Sequence, residues 1–405
     1  MWPRRYSLAA LACACMALAY MDRWNLSVAA PLLMQEFGWS ETTVGFLQSI
    51  FFYGFTASHL PGGWLADRFG GRRVLGSAVV FWSAITGLTS LVSGFATLVT
   101  VRFALGLGEG VNMPSILNLI ARWFPVEERT RATTVAVAGV QAGTLIALPL
   151  SAWIAASFGW RAIFRIYSLF GLAWVALWFS TIQEAPAKSD GPPQESLVAI
   201  SWRELLRHRS VWAVLLTTFV TNWTVWFFFA WLPTYFVKVH GFSLKESGVV
   251  SAAPSLAMIV AGLASGWLAD RLIAGGMPVT RVRKRMLASG YAGATVMLLL
   301  LPHAHSRLAA VACLCTALAF FAAGSTTVLV NSLDLAPGSA GVLVGLQGTV
   351  GNVAGMISPV LGGLIVAGTG SWDWNFYVIA VLLAAGVVVW TRWSSGEAII
   401  DARAR

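Results

Sequence analysis

Apolar stretches of about 20 residues, long enough to cross a bilayer as helices, recur twelve times along the chain. They fall at 7–33, 42–66, 74–93, 97–121, 132–156, 162–182, 211–236, 246–268, 286–303, 308–330, 340–367 and 374–391. Short polar turns separate them, except for one long connection over 183–210, QEAPAKSDGPPQESLVAISWRELLRHRS. Its first half has the Pro, Ser and Asp content of a linker, and its second half is spaced like a short amphipathic helix on a membrane surface. The connection divides the spans six and six. The pattern therefore predicts an all-α polytopic membrane protein with 12 transmembrane helices. An N-terminal six-helix bundle covers 1–182, a linker 183–210, and a C-terminal six-helix bundle 211–405. Prolines inside the spans (Pro31, Pro61, Pro114, Pro149, Pro233, Pro254, Pro359) are tolerated where a membrane helix bends.

A repeat supports the division. Gly63–Arg68 reads GWLADR and so does Gly266–Arg271, 203 residues later. Pro31 through Phe37-Gly38-Trp39-Ser40 is echoed by Pro233 through His240-Gly241-Phe242-Ser243. Two pseudo-symmetric six-helix halves are the sequence mark of a carrier.

Composition removes other classes. The 405 residues are 57% hydrophobic and 11% charged, with mean hydropathy +0.72, whereas soluble domains carry about a quarter charged residues. The net charge of +10 does not point to nucleic acid, because the basic residues sit in short loops between spans. With the N-terminus inside, twenty of the 27 Lys and Arg fall on the cytoplasmic side and five outside; Arg23 and Arg102 lie within spans. That bias places both termini in the cytoplasm of a multi-pass protein, expected in a cell's inner (plasma) membrane. Asp22–Arg23 in mid-span argues against a cleavable leader. Cys13, Cys15, Cys313 and Cys315 have no His or carboxylate beside them and read as packing residues, with no metal site. No nucleophile–base pair or phosphate loop suggests an enzyme.

The chemistry lies in the buried charges. Residues 102–114 read RFALGLGEGVNMP, and one helix over 97–123 puts Arg102 and Glu109 on one face, about 10 Å apart along the axis. Asp22 and Arg23 are equally deep in the first span. Ionised groups at such depth face a partner or a watered cavity. Two readings stand: an ion pair locking span 4 to a neighbour, or a charge relay beside a transport pathway. Glycines 106, 108 and 110 let neighbours approach closely.

Residues 62–73, GGWLADRFGGRR, resemble the loop signature of the major facilitator superfamily. That resemblance gives Gly63, Asp67, Arg68, Gly71 and Arg72, with Asp270 and Arg271 of the second copy, the role of a gate latch. YMDRWNLSVAAP at 20–31, RWFPVEERTRA at 122–132, NSLDLAPGSAG at 331–341 and GNVAGMISPVLGG at 351–363 narrow the likeness. They resemble the anion:cation symporter family, which includes bacterial sugar-acid carriers and the vesicular glutamate and lysosomal sialic acid carriers. The resemblance implies symport of an organic carboxylate with protons, the proton gradient supplying the energy and no cofactor being needed. It also implies a monomer whose partners are the small organic anion, protons and the lipid bilayer.

Residue by residue, the resemblance implies that Arg23 meets the substrate carboxylate. Glu109 carries the proton, with Asp22 and Arg102 in the same relay. Tyr53, Gln141 and Asn352 stand where sugar-acid members place polar contacts. Asn222 stands where the glutamate carriers have an arginine, which favours a hydroxylated monocarboxylate over a dicarboxylate. Helix 5, GVQAGTLIALP at 139–149, lacks the Gly-Pro-x-x-Gly-Gly run of drug/proton antiporters, which favours symport. His59 reads as a packing residue, Trp223 and Trp226 as a possible pocket floor, and Trp160 and Trp372 among the interfacial anchors. An exporter or exchanger of a related anion is the alternative within transport. A non-transporting receptor or scaffold is the other, disfavoured by four buried ionisable groups.

Overall fold

A computed structural model describes residues 4–183, 202–336 and 340–399, and its regular structure is helical throughout. The first half holds α1 (Arg4–Phe37), α2 (Glu41–Phe69), α3 (Gly71–Thr89), α4 (Phe95–Gly110), α5 (Asn112–Trp123), α6 (Val126–Phe158) and α7 (Trp160–Thr181). After the short α8 (Trp202–Leu205) come α9 (Arg209–His240), α10 (Leu244–Ala274), α11 (Val279–Leu300), α12 (Arg307–Leu335), α13 (Ala340–Thr369) and α14 (Asp373–Trp393). Counting α4–α5 as one broken crossing and setting α8 aside leaves twelve long segments, one per predicted span. Among the described residues, eight helices (α6, α7 and α9 to α14) are apolar and long enough to cross a membrane by themselves. The shortfall is confined to α1–α5, the part of the chain that carries four of the buried charges (Asp22, Arg23, Arg102 and Glu109) and the broken crossing.

Helix starts follow local chemistry. The Ser40 hydroxyl accepts the Thr43 N–H (3.3 Å) at α2, and Ser306 accepts the Ala309 N–H (3.1 Å) at α12. Ser243 and Glu246 form a reciprocal capping box at α10, each backbone N–H donating to the other's side chain. Between α2 and α3 the chain reverses at Gly70, whose φ of +86° only glycine adopts without strain.

Two expectations are corrected, and a third falls largely outside the described residues. The predicted helix over 97–123 breaks at Val111, because Pro114 has no N–H for the Gly110 carbonyl and its ring crowds the preceding turn. Within 183–210, only Trp202–Leu205 forms a helix before α9 begins at Arg209, and 184–201 lie outside the described residues. Trp160 and Trp372 are buried, not interfacial; the Trp160 indole N–H donates to Glu36 Oε2 at 2.7 Å.

The chain separates into two compact units. The first contains the described residues of Met1–Asp190 with Phe229–Ala252 and Pro359–Leu364. In it α1 packs on α6, α2 on α4 and α3 on α7. Segment Phe229–Ala252 is tied in by Lys238 Nζ to Glu41 Oε1 (2.6 Å) and by the Gln48 amide donating to the Ala230 carbonyl (2.8 Å). Pro233 leaves the Phe229 carbonyl without its helical donor, and the Ser27 hydroxyl supplies one at 2.7 Å.

The second unit contains the described residues of Gly191–Phe228, Ala253–Ser358 and Ile365–Arg405, with α11 packed on α12 and α14. Arg283, a loop residue in the sequence reading, is buried in α11 and pairs with Asp334 of α12 (Nε to Oδ2, 2.9 Å).

Candidate functional site

The four buried charges of the first unit lie on α1 and α4. Close approach makes this possible. A Cβ at Gly106 would meet the Phe51 carbonyl, one at Gly54 the Phe103 carbonyl, and one at Gly110 the Phe55 carbonyl and Ser58 Oγ. The α2 and α4 backbones therefore touch, with glycine on both faces. Gly106→Val is expected to lower stability by about 2 kcal/mol through overpacking. A melting temperature equal to wild type in purified protein would refute the close contact.

Arg23 and Glu109 form a buried ion pair, Nε to Oε2 at 2.8 Å. Glu109 has 0% exposure, and its other oxygen, Oε1, has no hydrogen-bond partner among the described residues. The Arg23 guanidinium lies over three rings: Tyr20 at 4.6 Å, Phe55 at 4.8 Å and Phe51 at 5.1 Å. Phe51 also lies under Arg102, 5.3 Å away. Arg102 is buried, and its Nε and Nη1 have no hydrogen-bond partner. Asp22, also buried, accepts from the Asn25 amide at 3.5 Å. The partner of Glu109 is thus Arg23, across from α1, and not the arginine of its own helix. Cation–π contacts spread the Arg23 charge while leaving guanidinium donors open to an anion.

The break after Glu109 has its own partner. The freed Gly110 carbonyl is met by His59 Nδ1 at 3.1 Å, and the His59 ring stacks on Phe55 at 5.5 Å. His59 is more than packing. A histidine spaced to reach a proline-freed carbonyl on another helix is a signal only the fold reveals. Cys15 is buried and free, its thiol 3.6 Å from Asn112 Oδ1 on α5.

The remaining sequence candidates scatter. Tyr53 is 47% exposed on the side of α2 opposite Phe51 and Phe55, so it stands apart from the Arg23 cage. Gln141 is exposed on α6, one turn before Thr144, which accepts the Trp24 indole N–H at 3.2 Å. Asn222 and Asn352 belong to the second unit, where they line a cavity of about 290 Å³ with Thr218, Thr221, Ser325 and Gln347. The Asn222 amide donates to the Thr218 carbonyl at 3.0 Å. Gln347, which the sequence reading missed, joins Thr218 Oγ1 (3.0 Å) and Ser332 Oγ (2.8 Å). Its only signal was an amide alone in an apolar run. Trp223 and Trp226 do not line this cavity. Among the described residues, no three His, Cys, Asp or Glu side chains gather as metal ligands would.

In the motif loop, Asp67 Oδ1 accepts the Asn118 amide at 2.6 Å, and Arg122 reaches the Asp67 carbonyl at 3.4 Å. Arg72 donates to the carbonyls of Ile182 (2.5 Å) and Phe179 (3.1 Å). Arg68 lies over Trp64, and Arg271 lies over Trp267. A Cβ on Gly71 would strike Leu119, while Gly63 has room beside Pro114. Asp270 is exposed.

Twelve long helices with a buried charge cluster on α1 and α4 define a polytopic membrane carrier, not an enzyme. The description Major Facilitator Superfamily matches residues 12–359, and the chain belongs to that family. A sodium-dependent phosphate transport protein 1 of the chloroplast of Arabidopsis thaliana is 35% identical over 99% of this chain and 81% of its own length. A chloroplast ascorbate transporter of the same plant is also 35% identical, over 99% of this chain and 76% of its own. These names agree with the motif-level resemblance to anion carriers. A bacterial homologue of the human lysosomal transporter Spinster, in an inward-facing and occupied conformation, has TM-score 0.82 at 17% identity, with 97% of each chain covered. A D-xylose–proton symporter has TM-score 0.77 at 18% identity, with 97% of this chain and 99% of that one covered. At such identity they support the fold alone.

Proposed function

We propose that this carrier moves a small organic carboxylate, a sugar acid or similar monocarboxylate, together with protons by alternating access. The observation that supports it is the buried Arg23–Glu109 pair. An arriving carboxylate competes with Glu109 for the guanidinium, which grips both oxygens of an anion at once. Glu109, displaced into a site with no other hydrogen-bond partner for Oε1, is far more stable as a neutral acid than as an isolated buried anion. Anion and proton binding thereby favour each other, a reciprocal coupling of free energies. Arg102 and Asp22 set the balance of charge around the pair. Asn222 and Asn352, with Gln347, line a polar cavity of the second unit whose amides suit hydroxyl groups. The motif residues Asp67, Arg68, Arg72, Asp270 and Arg271 latch the gate at the cytoplasmic side, where both termini lie.

Inorganic phosphate is the second reading, favoured by the 35% identity to a sodium-dependent phosphate transport protein. Proteoliposomes decide between the two. Labelled gluconate, galactonate, ascorbate and phosphate are supplied under an outside-acid pH gradient, with and without sodium. Accumulation of a hydroxylated carboxylate driven by the pH gradient alone is expected. Accumulation of phosphate only, driven by sodium, would replace the first reading by the second.

A further inference from the structure

We propose that His59 is a second proton-carrying residue, taking the proton that Glu109 releases and passing it to the water at the end of the bundle where α2 ends. This rests on the proton-coupled reading above. The Gly110 carbonyl facing Nδ1 can only accept a hydrogen bond, so that nitrogen bears the hydrogen. The lone pair is then on Nε2, which makes the ring a base with its acceptor turned away from the backbone. Gly110 directly follows Glu109, so the same proline-made break positions both groups. His59 is one turn beyond Phe55 along α2 toward Phe69, and Phe55 lies under the Arg23 guanidinium. His59 is only half-buried, whereas Glu109 is fully buried.

The charges around His59 give the step a direction. From α1 the charge of Arg23 acts on His59; Asp22 of α1 and Glu109 and Arg102 of α4 are the other buried charges of this unit. Arg72 and Arg73 of α3 and Arg122 of α5 lie at the helix ends by the motif loop. When the anion leaves Arg23, the guanidinium reclaims Glu109 and its proton must go. It passes from the carboxyl oxygen through water to Nε2. The resulting imidazolium shares its surroundings with Arg23, and like-charge repulsion drives the proton onward into water. Histidine suits the task because its ordinary pKa, about 6.5, lets it both take and release a proton near neutral pH.

The test uses the full-length protein in proteoliposomes with the four anions of the panel above as probes, and three forms: wild type, His59→Asn and His59→Phe. Asparagine keeps a donor for the Gly110 carbonyl but cannot titrate, while phenylalanine keeps the stacking and loses the donor. His59→Asn should melt like wild type and exchange internal for external substrate normally at equal pH. Its pH-driven accumulation should fall at least about tenfold, and the wild-type dependence of rate on internal pH should flatten. Phenylalanine should lose both stability and accumulation, with asparagine rescuing only the stability. Wild-type accumulation and pH profile in His59→Asn would overturn the inference and leave His59 as a cap alone. Wild-type protein indifferent to the pH gradient for all four anions would sink the proton-coupled reading itself, and this step with it.

Discussion

Glu109→Gln is expected to bind substrate and exchange it across the membrane, yet to lose pH-driven accumulation almost entirely. The amide mimics the protonated acid in shape and in charge. Arg23 then no longer has an anionic competitor inside the protein, since the charge that holds it at 2.8 Å is gone. An external carboxylate should therefore bind at least as tightly as to wild type, perceptibly more so at high pH where wild-type Glu109 is ionised. Without a releasable proton at this position, the cycle returns only with substrate aboard. Counterflow of labelled for unlabelled anion should persist while uphill uptake drops by a hundredfold or so, the scale of a lost proton-transfer group. Uphill uptake by Glu109→Gln under a pH gradient alone would show that the proton travels elsewhere, with Asp22 the next position to substitute.

The stability of the pair has a separate signature. Glu109→Gln removes one charge of a buried pair and leaves Arg23 buried over Tyr20, Phe51 and Phe55. Those rings and the polarisable guanidinium soften the penalty, so the variant should fold. The competition between Glu109 and substrate is thus measurable in the resting protein, by comparing anion affinity in the two forms.

Much of this was legible beforehand, and the reasons are physical. A bilayer requires long apolar runs, so most of the crossings showed as hydropathy, and a mid-span charge stands out against them; Asp22, Arg23, Arg102 and Glu109 could not hide. Which acid meets which base could not be read, because it depends on how near α1 approaches α4. The seven-residue spacing put Arg102 and Glu109 on one face and left open whether these charges lock span 4 to a neighbour or form a relay. The fold gives Glu109 to Arg23, and Arg102 keeps two unpartnered nitrogens. The break at Val111 was hidden behind a proline read as a mere bend, and its consequence for His59 lies across helices, beyond any local pattern. Gln48 and Gln347 were passed over because a single amide in an apolar run has no spacing to advertise it. Tyr53 shows the converse: Phe51 and Phe55, two residues to either side, turned out to be the ones facing Arg23, and two residue steps turn a helix by about 200°.

Replacing Arg23 should produce the largest loss of binding. Two charge-assisted hydrogen bonds to a carboxylate are together worth about 3 kcal/mol or more, so Arg23→Ala should weaken affinity by at least about a hundredfold. Arg23→Lys keeps the charge but surrenders the planar fork and its fit over three rings, and should still lose about tenfold or more. The alanine variant has a second defect, because Glu109 is left buried with no cation at hydrogen-bond distance. Removing one partner of a buried pair costs about 3–5 kcal/mol. The two defects separate in the double variant Arg23→Ala/Glu109→Gln. With no stranded carboxylate, its melting temperature should recover toward wild type, while substrate affinity should stay as poor as in Arg23→Ala. Isothermal titration and thermal unfolding of the four proteins, wild type included, measure both quantities on the same samples. If the double variant regained affinity along with stability, Arg23 would be a structural counter-ion for Glu109, and the substrate carboxylate would have to be met by Arg102, whose Nε and Nη1 are the other open donors in the cluster.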